Sequence, residues 1–217
     1  MLNKLFKRTW KGEKGITGLE TAIILIAFVV VAAVFAYTAL SAGLFSTQKS
    51  QEAVYSGLKE ARSTLELRGA VVATANATGA SGTIKQISFT VGNVLDGEPL
   101  DFTAPTADNA TGTAASGSSN KVVLSYIDQD QKVNDLYWTV TKLGGSDDDD
   151  LLETKEKFEI TIGSATAGSG AGNLIDALTT DLTVNKTFTI EVKPPVGAVL
   201  NIERTTPAYI DTIMNLH

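Results

Sequence analysis

The chain of 217 residues contains no cysteine and a single histidine, His217, its last residue. The missing thiols exclude disulfide staples, thiol catalysis and most structural zinc sites. A lone terminal imidazole leaves acid–base chemistry to carboxylates. Aromatic residues are 7% of the chain and prolines number five. Basic residues are too few to attract phosphate backbones. There are 18 against 24 acidic ones, and five of the 18 (Lys4, Lys7, Arg8, Lys11, Lys14) fall within residues 1–15, beside the single acid Glu13. Without that segment, 13 basic residues face 23 acidic ones, a net charge of −10. Nucleic acid is therefore not an expected partner. The chain shows no nucleophile with its base, no metal-ligand cluster and no P-loop. Gly168-Ser-Gly170-Ala-Gly172 lacks the Lys-Ser/Thr ending of a phosphate loop and reads as a flexible loop. No cofactor is expected, and composition points away from an enzyme.

Charge is also absent from Thr21 to Gln48, and Ala22–Ala36 is apolar without interruption. About 20 apolar residues cross a bilayer core, so this run is long enough to span. The cations that precede it would hold the N-terminus in the cytoplasm and send the rest outside. Three fates compete for the segment. A removable secretory signal would use a site such as Ala39-Leu-Ser41, although its apolar part is usually only about 7–15 residues long. A permanent signal anchor would keep it in the membrane. Cleavage between Gly15 and Ile16 would remove the basic leader and retain the apolar helix.

The third fate coincides with a resemblance. Lys14-Gly15 followed by Ile16-Thr-Gly-Leu-Glu20 and the apolar run to Phe35 resembles the class III, type IV prepilin-like signal of archaellins, the archaeal flagellins. The match is close over residues 11–45. It implies a leader of residues 1–15 cut after Gly15 by a membrane-embedded prepilin peptidase. It also implies a precursor held in the cell membrane, and a mature protein that polymerises with itself, or with sibling archaellins, into an extracellular archaellum. Glu20 becomes the fifth residue after cleavage, where type IV pilins also carry Glu. A carboxylate beside an apolar run is costly unless neutralised, and the new amine of Ile16 would be a partner. A plain helix cap is the competing role for Glu20.

Val54, Leu58, Ala61 and Leu65 recur at helical spacing, and Gly69 follows Arg68 as a C-terminal stop. Thr17-Gly18-Leu19-Glu20 fits a capping box. The reading is one helix from Gly18 to Arg68, within a filament-core segment of residues 16–69, roughly 75 Å long at 1.5 Å per residue. The small residues Ala27, Ala32, Ala33 and Ala36 would let such helices approach closely. A transmembrane anchor with an amphipathic stalk has the same periodicity.

Residues 70–217 form the expected outer domain. Stretches 70–83, 104–120 and 163–173 are rich in Ala, Thr, Gly, Ser and Asn and read as loops. Alternating segments at Ile87–Val91, Leu136–Val140, Phe158–Ile162 and Phe188–Val192 read as strands. So do Lys121–Ile127, closed by a turn at Asp128–Asp130, and Leu200–Ile202. Six or seven such strands make an antiparallel β-sandwich, so the fold class is α+β: a long N-terminal hydrophobic helix followed by the sandwich. Archaellins carry an immunoglobulin-like sandwich, which agrees. Sequons occur at Asn76, Asn109 and Asn185, each with Thr two residues on. The resemblance implies N-glycosylation there. Asp147–Asp150 reads as a solvated loop before a cation site, because its carboxylates are contiguous and not alternating. An adhesive pilin and a membrane-anchored binding module stand as the alternatives to a swimming filament, with an extracellular hydrolase last.

Overall fold

The computed structural model describes residues 17–94, 97–108, 111–163 and 172–216. Its contacts divide the chain into two units, one up to Tyr55 and one from Ser56 onward.

The first unit is helical. Helix α1 runs from Thr17 to Arg62, 46 residues, or about 69 Å at 1.5 Å per residue. Its sequence is not what propensity alone would choose, since Ile23, Ile24, Ile26, Val29, Val30, Val31 and Val34 are β-branched and stiff at χ1. A segment this apolar has no water to satisfy its backbone in the settings where it is stable. A helix closes those hydrogen bonds within the segment. Its hydroxyls follow the same rule: Thr38 donates to the carbonyl of Phe35 at 2.9 Å and Thr47 to that of Gly43 at 2.7 Å.

The second unit begins inside the last turns of α1 and corrects the expected boundary. The helix stops at Arg62, six residues before Arg68. There the backbone N–H and the hydroxyl of Ser63 both donate to the carbonyl of Lys59, at 3.0 and 2.9 Å, and the hydroxyl of Thr64 donates to that of Ala61. Such side-chain bonds compete with helix propagation. Leu65–Leu67 then forms strand β1, and Leu65 is buried in the sandwich core. Gly69, with φ of 109°, turns the chain from β1 into β2 (Val71–Ala77) and ends no helix. Strand β2 is a second correction, because this stretch was expected to be loop. Val71 and Ala73 alternate inward and are fully buried.

The remaining strands are β3 (Thr83–Asn93), β4 (Leu100–Asp101), β5 (Val123–Ile127), β6 (Lys132–Val133), β7 (Trp138–Leu143), β8 (Leu151–Leu152), β9 (Lys157–Ile162), β10 (Thr187–Lys193), β11 (Leu200–Thr205) and β12 (Ile213–Leu216), with a one-turn helix α2 at Leu174–Ala177. One sheet has the order β12-β2-β3-β9-β7 with β1 also on β3, a second has β11-β10-β5-β6, and β4 pairs with β8. All the ladders are antiparallel. The expected alternating strands are present at β3, β5, β7, β9, β10 and β11.

The two main sheets share one core. Ile87, Phe89, Phe158, Ile160 and Trp138 meet Leu124, Tyr126, Phe188, Ile190 and Val192. Phe102 sits edge-on to both Trp138 and Phe158, with ring centroids 6.0 and 5.9 Å apart, a geometry that aligns positive ring edges with negative faces. With no disulfide available, this burial holds the domain, at about 1.5–3 kcal/mol per large side chain.

The expected turn at Asp128 is the polar counterpart. Its carboxylate accepts from the N–H of Asp130 at 2.7 Å and of Gln131 at 2.8 Å, and from the buried Tyr126 hydroxyl at 2.8 Å. Gln131 continues the network to the backbone of Thr179 and Thr180. Burial raises the Asp128 carboxyl, but these hydrogen bonds outweigh it and hold the group below the usual carboxylate range. A lowered carboxylate contributes stability above its unfolded pKa of about 3.9 and loses it as pH falls through the folded value. Asp128→Asn is therefore expected to lower the melting temperature at pH 7, with the gap to wild type closing below about pH 4. Thermal denaturation at both pH values checks this.

Candidate functional site

Every described side chain from Gly18 to Arg62 is exposed in the single chain. From Leu19 to Phe45, fifteen large side chains are 55–74% exposed. Apolar residues cover the whole circumference, since Ile23, Ile24, Leu25 and Ile26 are consecutive and successive residues turn by about 100°. A helix apolar on all sides is a buried helix, so this surface is incomplete in the isolated chain.

The expected assembly residues all fall on α1, but they do not share one face. Ala32 and Ala36 are four apart and align with Ala39 and Gly43, at offsets of 4, 7 and 11. These residues form one stripe of small side chains within about 60° of each other. Ala27 and Ala33 lie off that stripe, and so does Glu20. Glu20 is exposed in the first turn, the sole charged residue between Thr17 and Gln48. Gly15 and Ile16, the expected cleavage pair, lie outside the described residues. At the other end α1 becomes charged: Lys49 pairs with Glu52 at 2.5 Å, and Lys59 reaches Glu98 at 2.7 Å.

Two of the three sequons are described. Asn76 is exposed at a register shift between β2 and β3, where Ala75 and Ala77 pair with consecutive residues and Asn76 is the extra one. A bulge turns its side chain out of the ladder. Asn185 is exposed just before β10 with φ of 54°, a left-handed conformation that Asn tolerates. Its acceptor threonine, Thr187, is exposed beside Thr205 at 2.9 Å. Asn109 lies outside the described residues. The run Asp147–Asp150 is organised by the chain itself. Lys142 reaches the carboxylate of Asp150 at 3.1 Å and the carbonyl of Asp148 at 2.6 Å, and Leu151 N–H donates to Asp149 at 2.8 Å. Among the described residues no group of His, Cys, Asp and Glu is arranged to hold a metal ion.

The exit of α1 is a structural position that sequence reasoning missed. Gly197, with φ of 101°, lies so close to the backbone carbonyl of Ser63 that no Cβ fits. Nothing in Pro194-Pro195-Val196-Gly197 beyond a turn signal marks it, because the contact joins residues far apart in the chain. Gly197→Ala is expected to destabilise the second unit by at least ~1–2 kcal/mol from the left-handed backbone alone, read as a lower urea midpoint for the detergent-solubilised chain.

The model of the archaeal-type flagellin family matches residues 15–204. A protein named probable flagellin 1 from Archaeoglobus fulgidus is 40% identical over 214 residues, covering 96% of this chain and 98% of that one. A probable flagellin 1 from Aeropyrum pernix is 34% identical, covering 92% and 95%. The archaeal flagellum of Methanospirillum hungatei superposes with a TM-score of 0.58 at 30% identity, over 92% of this chain and 98% of that chain. The crystal structure of flagellin FlaB1 from Methanocaldococcus jannaschii superposes with a TM-score of 0.51 at 12% identity, over 70% and 96%, a likeness of fold.

Proposed function

We infer the role of this chain from one premise: it belongs to the archaeal-type flagellin family. It is a structural subunit of the archaellum, a self-assembling helical filament for motility, and not an enzyme. The observation that carries this function is the all-round apolar stretch of α1, uncharged from Thr21 to Gln48, which only a polymer core or a bilayer can cover. Relatives of full length support the swimming filament over an adhesive pilin or a lone anchored module.

The finer steps are our proposal. The precursor inserts through α1 with its basic leader in the cytoplasm, and a prepilin peptidase cuts between Gly15 and Ile16. The family match supports this, since it begins at residue 15 and leaves the cationic segment outside. The amine released at Ile16 pairs with Glu20, within or between subunits, and removes the cost of a lone carboxylate at the apolar surface. Asn76, Asn109 and Asn185 carry N-linked glycans on the exported domain. Two of them are supported by their exposure. The intact mass of the subunit from sheared filaments reads both modifications. It is expected to equal a chain starting at Ile16 plus sugar. The mass of the bare Ile16 chain would end the glycan proposal, and a start elsewhere would end the processing one.

Passing from bilayer to filament exchanges lipid contacts for protein contacts, so close packing decides the gain. The stripe of Ala32 and Ala36 supplies that closeness. Ala32→Leu with Ala36→Leu is expected to leave membrane insertion intact and abolish filaments. Carbonate extraction of membranes and electron microscopy of sheared material measure the two outcomes, and normal filaments would remove the packing role.

A further inference from the structure

Strand β12 is the outermost strand of the larger sheet, and no strand lies beyond it among the described residues. It pairs with β2 through Ile213↔Thr74, Met214↔Ala73, Asn215↔Val72 and Leu216↔Val71. The carbonyl of Thr212 accepts from Ala75 N–H at 3.0 Å. Backbone groups alternate in direction along an antiparallel ladder, so Ile213 and Asn215 point their N–H and C=O groups to the open side. Met214 and Leu216 sit opposite the buried Ala73 and Val71 and face the core. Ile213 faces outward instead and is 67% exposed, and Tyr209, beside the Gly79↔Ile210 bridge at the same edge, is 57% exposed. These are the two most exposed large hydrophobic residues of the sandwich among the described residues.

Edges of this kind are normally blunted by charge, by proline or by a covering element, because an open apolar edge recruits another strand. From Thr212 to Leu216 there is no charged residue and no proline, and the one charge between Tyr209 and Ile213 is the exposed Asp211. The lack stands out in a chain that carries −10 beyond its leader, where acidic surfaces of neighbouring copies repel. In a soluble monomer such an edge is a liability, but an archaellin is never far from other copies of itself. The match to the family model ends at residue 204, so this edge lies outside the segment by which the family is recognised.

We propose that the β12 edge, with Ile213 and Tyr209, is a contact surface that docks a strand edge of a second copy of this chain in the outer layer of the filament. Main-chain hydrogen bonds to Ile213 and Asn215 provide the attachment, and the two apolar side chains set which partner fits. The contact is heterologous, as an open helical assembly requires. It rests on the filament function and adds to the helical core a lateral bond between sandwiches.

A photo-crosslinking residue placed at position 213 tests it in intact filaments. Irradiation is expected to give covalent dimers, with the crosslinked peptide belonging to the sandwich of a second copy. Crosslinks confined to the same chain, to an Asn76 glycan or to solvent would overturn the proposal. In parallel, Ile213→Lys is expected to lower the temperature at which filaments dissociate while leaving the unfolding of the detergent-solubilised subunit unchanged. Ile213→Thr, which keeps a β-branched side chain, gives a smaller shift. Unchanged filament dissociation in both variants would equally overturn it. Failure of the wild-type chain to form filaments would instead strike the polymer function itself.

Discussion

The constraint on which the rest depends is that the middle of α1 cannot meet water. Fifteen large side chains between Leu19 and Phe45 are more than half exposed in the single chain. At about 1.5–3 kcal/mol each, their transfer from an apolar setting to water would cost more than ~20 kcal/mol. That exceeds the ~5–15 kcal/mol by which a typical domain is stable at all. The helix therefore has two habitable environments, lipid and the company of other helices, and a family of filament subunits uses the second. Nothing within the described residues offers this surface an intramolecular cover.

The second unit obeys the opposite rule. Its core is closed by its own residues, with Trp138, Phe158, Phe102 and Tyr126 essentially inaccessible. Its turns are tied by their own side chains, as at Asp128 and at Asp147–Asp150. The junction between these two regimes is correspondingly exact in its sterics: Ser63 ends the helix through two bonds to Lys59, and Gly197 leaves room for the Ser63 carbonyl. Polymerisation thus joins domains that are already folded, and the sandwich needs no disulfide because its stability does not wait for assembly.

How much of this was legible in the sequence depended on whether a signal was local. The absence of charge from Thr21 to Gln48 sufficed to read the helix, and strict alternation sufficed for β3, β9 and β10. The helix end was misread because Leu65 satisfies two periods at once, the helical one with Val54 and Leu58 and the two-residue one with Leu67. Burial in the sandwich decided between them. Strand β2 was invisible because Val71, Ala73 and Ala75 carry a composition typical of loops, and only the partner strand gives those small residues a reason. Strand β12 is four residues with two facing inward, too short to show alternation. The four assembly alanines were gathered by composition; Ala32 and Ala36 share one stripe of the helix, whereas Ala27 and Ala33 fall elsewhere around it. The processing pair Gly15 and Ile16 rests on its motif, outside the described residues. Which sequons are accessible was not, since the bulge at Asn76 and the left-handed backbone at Asn185 follow from tertiary structure.

From these two regimes such a filament is expected to be easier to build than to dissolve. On the proposed membrane route, each α1 leaves lipid for contacts that are equally apolar, so the forward step depends on packing and needs no exposure to water. The reverse step, shedding a subunit into solution, exposes the full apolar circumference of the helix. The sandwiches face the contrary problem, because every added copy brings further negative charge into the outer layer. Contacts among the apolar helices do nothing to relieve that repulsion. Uncharged lateral contacts between sandwiches are then most effective where acidic residues are few, and β12, uncharged from Thr212 to Leu216 beyond the exposed Asp211, is such a place.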